Sequence, residues 1–234
     1  MNIRKHIPNT ITCLHLTAGC ISIVMAFEGL FLWALIWIII AGVLDFCDGL
    51  AARLLHAYSD IGKDMDSLAD VVSFGAAPGM ILFCLLREAA VDLPWESIRE
   101  YIPYTAFVVP AFSCLRLAKF NNDTRQSTSF IGLPVPAHAL LWASAAYAIL
   151  PVVHHYTIYW IPAVICLFTL TSLLLVSEIP MFSFKIKSLA WKGNELRYML
   201  VACALLFVLF FGFLGITGTI ILYILLSIFN SKRS

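Results

Sequence analysis

Charged side chains are scarce in this sequence. Lys, Arg, Asp and Glu make up 12% of its 234 residues, about half of the roughly 25% found in soluble domains, so an ordinary water-facing surface is excluded. An excess of one sign is missing too: fifteen basic against fourteen acidic residues leave +1, and nothing suggests the basic field that nucleic acid calls for. The seven cysteines (13, 20, 47, 84, 114, 166 and 203) include no CxxC pair and no His-Cys ligand spacing. They read as small buried apolar residues, not as a disulfide or zinc framework. Internal repeats, a soluble domain, a Ser/Pro-rich linker and a nucleophile elbow are absent as well. Arg4, Lys5 and His6 precede an apolar run and mimic a secretory leader, but residues 11–27 contain no small-residue cleavage pattern and further apolar runs follow. That stretch is read as a retained first helix.

What the sequence has in abundance is hydrocarbon: 61% of its residues are hydrophobic. Apolar runs recur at 11–27, 31–55, 62–87, 100–119, 136–153, 157–177, 196–212 and 216–230. A bilayer-spanning helix needs about 20 residues, so the pattern predicts an all-α polytopic transmembrane bundle forming one domain over residues 1–234. About eight spans are expected (six to eight), the last two runs being short enough to form one long tilted helix instead of two. Gly212, Gly215 and Gly218 interrupt those two runs and favour a pair over one long helix. With a cytoplasmic N terminus and eight spans, thirteen of the fifteen Lys and Arg fall inside, and only Arg87 and Arg99 outside. This is the positive-inside asymmetry of a cell (inner) membrane protein.

Against that background the stretch Asp45 to Asp70, DFCDGLAARLLHAYSDIGKDMDSLAD, stands out. An ionised carboxylate within a membrane costs roughly 3 kcal/mol or more, so intramembrane acids usually mark a functional site with a cationic partner. On a helix advancing about 100° per residue, Asp45, Asp48, Gly49, Ala52 and Arg53 share one face about 140° wide, as do Gly62, Asp66 and Asp70 on the next. Two facing helices can therefore pool Asp45, Asp48, Asp66 and Asp70 at one point. An all-oxygen donor set suits Mg²⁺ or Mn²⁺ better than zinc, and two divalent ions would cancel the four negative charges. Gly49 and Ala52 leave room for a large anionic ligand. The six histidines offer no metal-like spacing to these acids: His154 and His155 fall in a short outer loop, His15 and His138 inside apolar spans.

The pattern Asp45-x2-Asp48-Gly49-x2-Ala52-Arg53-x8-Gly62-x3-Asp66-x3-Asp70 resembles, at all eight specified positions, the signature of the CDP-alcohol phosphotransferases, integral membrane enzymes of phospholipid synthesis. The resemblance implies an active site at the cytoplasmic ends of helices 2 and 3. Asp45, Asp48 and Asp66 would hold two divalent ions, Asp70 would ligate one and act as general base, and Gly49, Ala52, Arg53 and Gly62 would receive the CDP group. It also implies a homodimer. The PNTIT start admits two readings: Asn9 and Thr12 either cap the first helix or, as in the resembled family, lie beside the nucleotide.

Three further stretches, SCLRLAKFN at 113–121, SFIGLPVPA at 129–137 and SEIPMFS at 177–183, resemble the membrane-embedded phosphatidylserine synthases of bacteria and archaea, with Lys119 where Arg is expected. On that resemblance the substrates are CDP-diacylglycerol and L-serine. Arg116, assisted by Lys119 and Asn121, would bind the serine carboxylate, and the Gly132-Leu133-Pro134 turn would shape the pocket wall. By composition alone the two cations are ordinary topology anchors. The competing readings are the same chemistry on glycerol 3-phosphate or an inositol phosphate, and an ion-coupled transporter. A transporter would call for a repeated second half with sites at the midplane.

Overall fold

A computed structural model describes residues 6–123, 130–181 and 194–231. Among the positions used for topology, Arg4, Lys5, Arg125, Lys185, Lys187, Lys192, Lys232 and Arg233 lie outside these residues, as do Phe182 and Ser183. The chain is a polytopic all-α bundle. Among the described residues six helices are long and apolar enough to cross a membrane: α1 (His6–Phe27), α2 (Phe31–Leu54), α3 (Asp60–Ala90), α4 (Glu96–Asn122), α5 (Val135–Val152) and α6 (Thr157–Val176). Two shorter ones follow, α7 (Glu195–Phe211) and α8 (Leu214–Ser231). Helices suit this setting because each satisfies its own backbone hydrogen bonds where no water can.

The C-terminal runs form two helices, as the glycines predicted. Gly212 takes φ +57° at the turn, a conformation glycine adopts without Cβ strain. Gly215 lies directly against the Phe207 backbone, where any side chain would collide. α8 also packs on α5, where the Ser144 and Thr217 hydroxyls hydrogen-bond at 2.7 Å.

The far half of α3 is the centre of the core. Ile81, Leu82, Leu85, Leu86 and Ala89 are fully buried there, with α1, α4, α5 and α6 packed around them. The other half of α3 carries the acids. Between the halves, Val71–Ala76 is a π-helical turn, a distortion often found at functional sites. It directly follows Asp70 and places Ser73 and Gly75 against different neighbours. The Ser73 hydroxyl donates to the His15 carbonyl of α1 at 3.1 Å, while a Cβ on Gly75 would lie 3.1 Å from Ser113 of α4.

A short antiparallel pairing closes the same end of the bundle, with Phe130 opposite Met181 and Ile131 opposite Pro180. Gly132, at φ +77°, turns the chain into α5, its N–H donating to the Ile179 carbonyl at 2.9 Å. Two segments nearly fifty residues apart, both singled out in the sequence, are thereby joined.

Candidate active site

Three helices bring the carboxylates together. On α2 the buried stripe Phe31, Ala34, Leu35, Ile38 and Ala41 continues onto Asp48, so the packing that seats the helix also turns this acid inward. On α3 the Ser59 hydroxyl accepts the Gly62 N–H at 3.1 Å, satisfying a free donor of the first turn and fixing where the helix starts. Asp66 then lies on the next turn and Asp70 immediately before the π-helical turn. α1 contributes its own face of small and polar residues, including Thr12, His15, Gly19 and Ser22, all buried.

Asp45, Asp66, Asp70 and His15 each present a donor atom, and these atoms all lie within 4.8 Å of one another. Three of the four expected carboxylates thus converge. The fourth, Asp48, sits alongside and accepts a 2.7 Å hydrogen bond from the Thr12 hydroxyl. The group fits a divalent metal on two counts. Its carboxylates are the donors that hard cations prefer. In addition, Asp66 Oδ1 and Asp70 Oδ1 are buried with no hydrogen-bond partner among the described residues, a situation costing about 1–3 kcal/mol or more per group unless a cation answers it.

His15 is the residue that sequence spacing missed. Fully buried, it points Nε2 to 3.9 Å from Asp70 Oδ1, while its ring lies 5.1 Å from that of Phe74. The available signal was helical phase: His15 follows Thr12 by three positions, on the polar stripe of an otherwise apolar helix.

Beside the carboxylates is a cavity of about 250 Å³. Asn9, Thr12, Gly49, Ala52, Arg53 and Gly62, the six positions assigned to the CDP group by resemblance, all line it, and Asp48 and Asp66 form its border with the metal group. Asn9 lies inside α1 and not at its start, so its side chain does not cap that helix. Its Oδ1 instead stands 3.2 Å from where a Gly62 Cβ would be. Thr12 is likewise internal and bonds to Asp48. Lys63, read from sequence only as a topology charge, lines the same cavity as Arg53 and reaches the Asn121 carbonyl at 3.3 Å.

The residues considered for serine divide. Arg116 is 4% exposed, its guanidinium carbon is 5.0 Å from the Phe120 ring centre, and its Nε has no partner among the described residues. Ser113 packs at Gly75, and the Asn121 amide donates to Ser67 Oγ at 2.7 Å, so α4 runs antiparallel along α3. That register sets Arg116 level with Val72, next to the Asp70 turn. Lys119, in contrast, is engaged by Glu178 at 2.8 Å and by the Val176 carbonyl at 3.1 Å. The Gly132 turn packs on the end of α6 and does not line the cavity.

Comparison with known proteins finds several relatives. A CDP-diacylglycerol--serine O-phosphatidyltransferase of Bacillus subtilis is 40% identical over 103 residues, which cover 44% of this chain and 54% of that protein. One of Mycobacterium leprae is 33% identical over 185 residues, covering 75% and 57%. An archaetidylserine synthase of Methanothermobacter thermautotrophicus is 32% identical over 143 residues, covering 59% and 56%. The chain thus spans little more than half the length of the curated relatives it matches. The CDP-alcohol phosphatidyltransferase family model matches residues 5–170, a region holding the carboxylates, the cavity and Arg116, and the chain belongs to that family.

Proposed function

We propose that the chain transfers the phosphatidyl group of CDP-diacylglycerol to the hydroxyl of L-serine, releasing CMP. The observation that carries this reading is the cavity of α1, α2 and α3: a space lined by Arg53, Lys63, Gly49 and Gly62 and bordered by Asp48 and Asp66, of which Asp66 is also a member of the group that could hold a metal. The names of the relatives point to serine as acceptor.

In this reading Arg53 and Lys63 neutralise the diphosphate, Arg53 being able to fork onto two of its oxygens. Gly49 and Gly62 let the nucleotide approach the backbone, and Asn9 supplies a polar contact. Asp45, Asp48 and Asp66 hold two Mg²⁺ or Mn²⁺ ions with help from Asp70. When bound, such ions polarise the transferring phosphoryl group and stabilise the attacking and leaving oxygens. Asp70 takes the proton of the serine hydroxyl. A carboxylate facing cations is a weak base, so its contribution is chiefly placement. Arg116, level with that turn and lacking a partner at Nε among the described residues, receives the serine carboxylate; Asn121 is held on the acid-bearing half of α3 through Ser67, while Lys119 is committed to Glu178. The strongest nucleophile candidates are committed to metals, which favours one direct displacement over a covalent intermediate.

The reading places the site on the cytoplasmic face of the cell membrane, where serine is available. It is supported by the thirteen-to-two split of basic residues. The homodimer rests on the resemblance alone, and cross-linking in native membranes tests it. For the reaction, purified protein is given CDP-diacylglycerol with serine, glycerol 3-phosphate or an inositol phosphate, and CMP release is followed. Serine is expected to be the best acceptor by far. Faster release with either phosphate would transfer the assignment to another acceptor.

A further inference from the structure

We propose that His15 is a nitrogen ligand of the divalent ion held by Asp45, Asp66 and Asp70, so that this centre is a mixed nitrogen and oxygen site and not a purely carboxylate one. The inference rests on the metal reading above and extends it to a residue outside the aspartate signature.

His15 is fully buried, and neither ring nitrogen has a hydrogen-bond partner among the described residues. A buried imidazole normally satisfies at least one nitrogen. Here Nε2 is directed at Asp70 Oδ1 across 3.9 Å, too far for a hydrogen bond, which closes by about 3.2 Å. Two metal-ligand bonds of about 2.1 Å each reach about 4.2 Å end to end, so an ion fits between these atoms as a shared partner. Asp45 and Asp66 present donor atoms to the same group, all four atoms lying within 4.8 Å of one another.

The ring is also held from behind. Ser73 Oγ donates to the His15 carbonyl at 3.1 Å, the Phe74 ring packs against the imidazole at a tilt of 37°, and Gly19 lets α1 come so close to Ser73 that any side chain there would collide. The π-helical turn that follows Asp70 therefore fixes both members of the pair: it ends the helical register of Asp70 and supplies the two residues that position His15.

A nitrogen donor changes which metal the site prefers. Imidazole binds transition ions better than magnesium, whereas carboxylates serve both. His15 therefore biases the centre toward Mn²⁺ over Mg²⁺, an effect that four carboxylates alone would not give.

The test uses the full chain in lipid nanodiscs, loaded with one equivalent of Mn²⁺ and examined by pulsed electron paramagnetic resonance with natural and ¹⁵N-labelled histidine. The expected result is a nitrogen coupling typical of a directly bound imidazole that shifts with the isotope. It persists in His6→Gln/His56→Gln, which removes the exposed histidines at the same end, and disappears in His15→Leu. The Mn²⁺ to Mg²⁺ affinity ratio should fall about tenfold in His15→Leu, since losing even an outer-shell partner costs about 10–100-fold in metal affinity. The isotope comparison needs no variant and stands if His15→Leu does not fold. Mn²⁺ bound at the carboxylates without nitrogen coupling overturns the His15 ligand and leaves the carboxylate centre in place. A protein that binds no Mn²⁺ overturns both.

Discussion

The two ends of α3 carry acids of opposite character. At the far end, Glu88 and Asp92 stand close to His154, with Asp92 Oδ2 2.7 Å from His154 Nδ1 and Glu88 3.8 Å from Nε2, all of them 36–55% exposed. At the near end, Asp70 is 14% exposed, with His15 fully buried at 3.9 Å, and Asp66 and Asp70 each keep one buried oxygen without a partner among the described residues. The far acids are answered by water and by a histidine on a neighbouring loop. Among the near acids only Asp48 is answered by a neutral donor, the Thr12 hydroxyl, and the two buried oxygens of Asp66 and Asp70 meet no donor among the described residues. A fold that buries charge this way loses stability unless a ligand returns it, so the near end is built around something it binds while the far end is a solvated surface.

The sharpest way to break this contrast is to remove the ligand. Chelation of divalent ions should abolish CMP release, with Mg²⁺ or Mn²⁺ restoring it, and Asp45→Asn, Asp48→Asn and Asp66→Asn should each raise the metal concentration needed for half-maximal rate. Full turnover in a demonstrably metal-free preparation would show that the near acids are not a metal site. Next in size is Asp70→Asn, expected to lower kcat on the order of 10²–10⁴-fold, the usual worth of a positioned general base. Its control is Asp92→Asn, in the turn just past the other end of the same helix, expected to stay within about twofold because a single exposed pair is worth only about 1 kcal/mol or less. Equal losses in the two variants would mean that both act through folding, and the contrast would go.

A third test concerns acceptor selectivity. Arg116→Lys should raise the serine KM by about tenfold or more while the KM for CDP-diacylglycerol changes little, because a point charge does not replace a planar fork. Initial rates over a serine titration decide this. An unchanged serine KM would return Arg116 to the role of a buried anchor over Phe120.

How much of this could be read from the sequence depends on whether the signal was local. The spans are local: their length and hydropathy are set by the bilayer, and six of the expected helices meet those limits, with α7 and α8 as the shorter pair. The aspartate faces are local too, because helical phase alone determines which residues of α2 and α3 look the same way. That the six CDP-assigned positions line one cavity followed once helices carrying those faces packed together. What could not be read depends on α1 relative to α3. His15 is separated from Asp70 by more than fifty positions, and no ligand spacing connects them. Their meeting depends on the close crossing at Gly19 and on the π-helical turn, which the run Val71-Val72-Ser73-Phe74-Gly75 does not announce. The link between 129–137 and 177–183 was out of reach for the same reason. A two-residue antiparallel pairing has no periodicity to detect.

The smallest expected effect tests whether pairing within the protein is a reliable sign of a structural role. Lys119 was a candidate for the serine site, and it lies three residues from Arg116 on α4. It is also about half exposed, salt-bridged to Glu178 at 2.8 Å, and donating to the Val176 carbonyl at the last turn of α6 at 3.1 Å. A cation at that position meets the negative end of a helix dipole, worth about 0.3–1 kcal/mol, and the exposed ion pair adds about 0.2–1 kcal/mol. Both effects belong to the closure of the bundle between α4 and α6. Lys119→Met should therefore lower thermal stability by a few degrees, on the order of 2–4 °C per kcal/mol for a chain of this size, and leave the serine KM within about twofold. Glu178→Gln should reproduce part of the stability loss, since it breaks the same pair from the other side. Thermal unfolding in detergent and a serine titration on each variant separate the outcomes. If Lys119→Met instead raises the serine KM as much as Arg116→Lys does, with stability unchanged, the lysine exchanges Glu178 for the substrate carboxylate during turnover. Pairing in the resting protein would then be no guide to function, and His154 with Asp92 at the far end would have to be tested by the same measure.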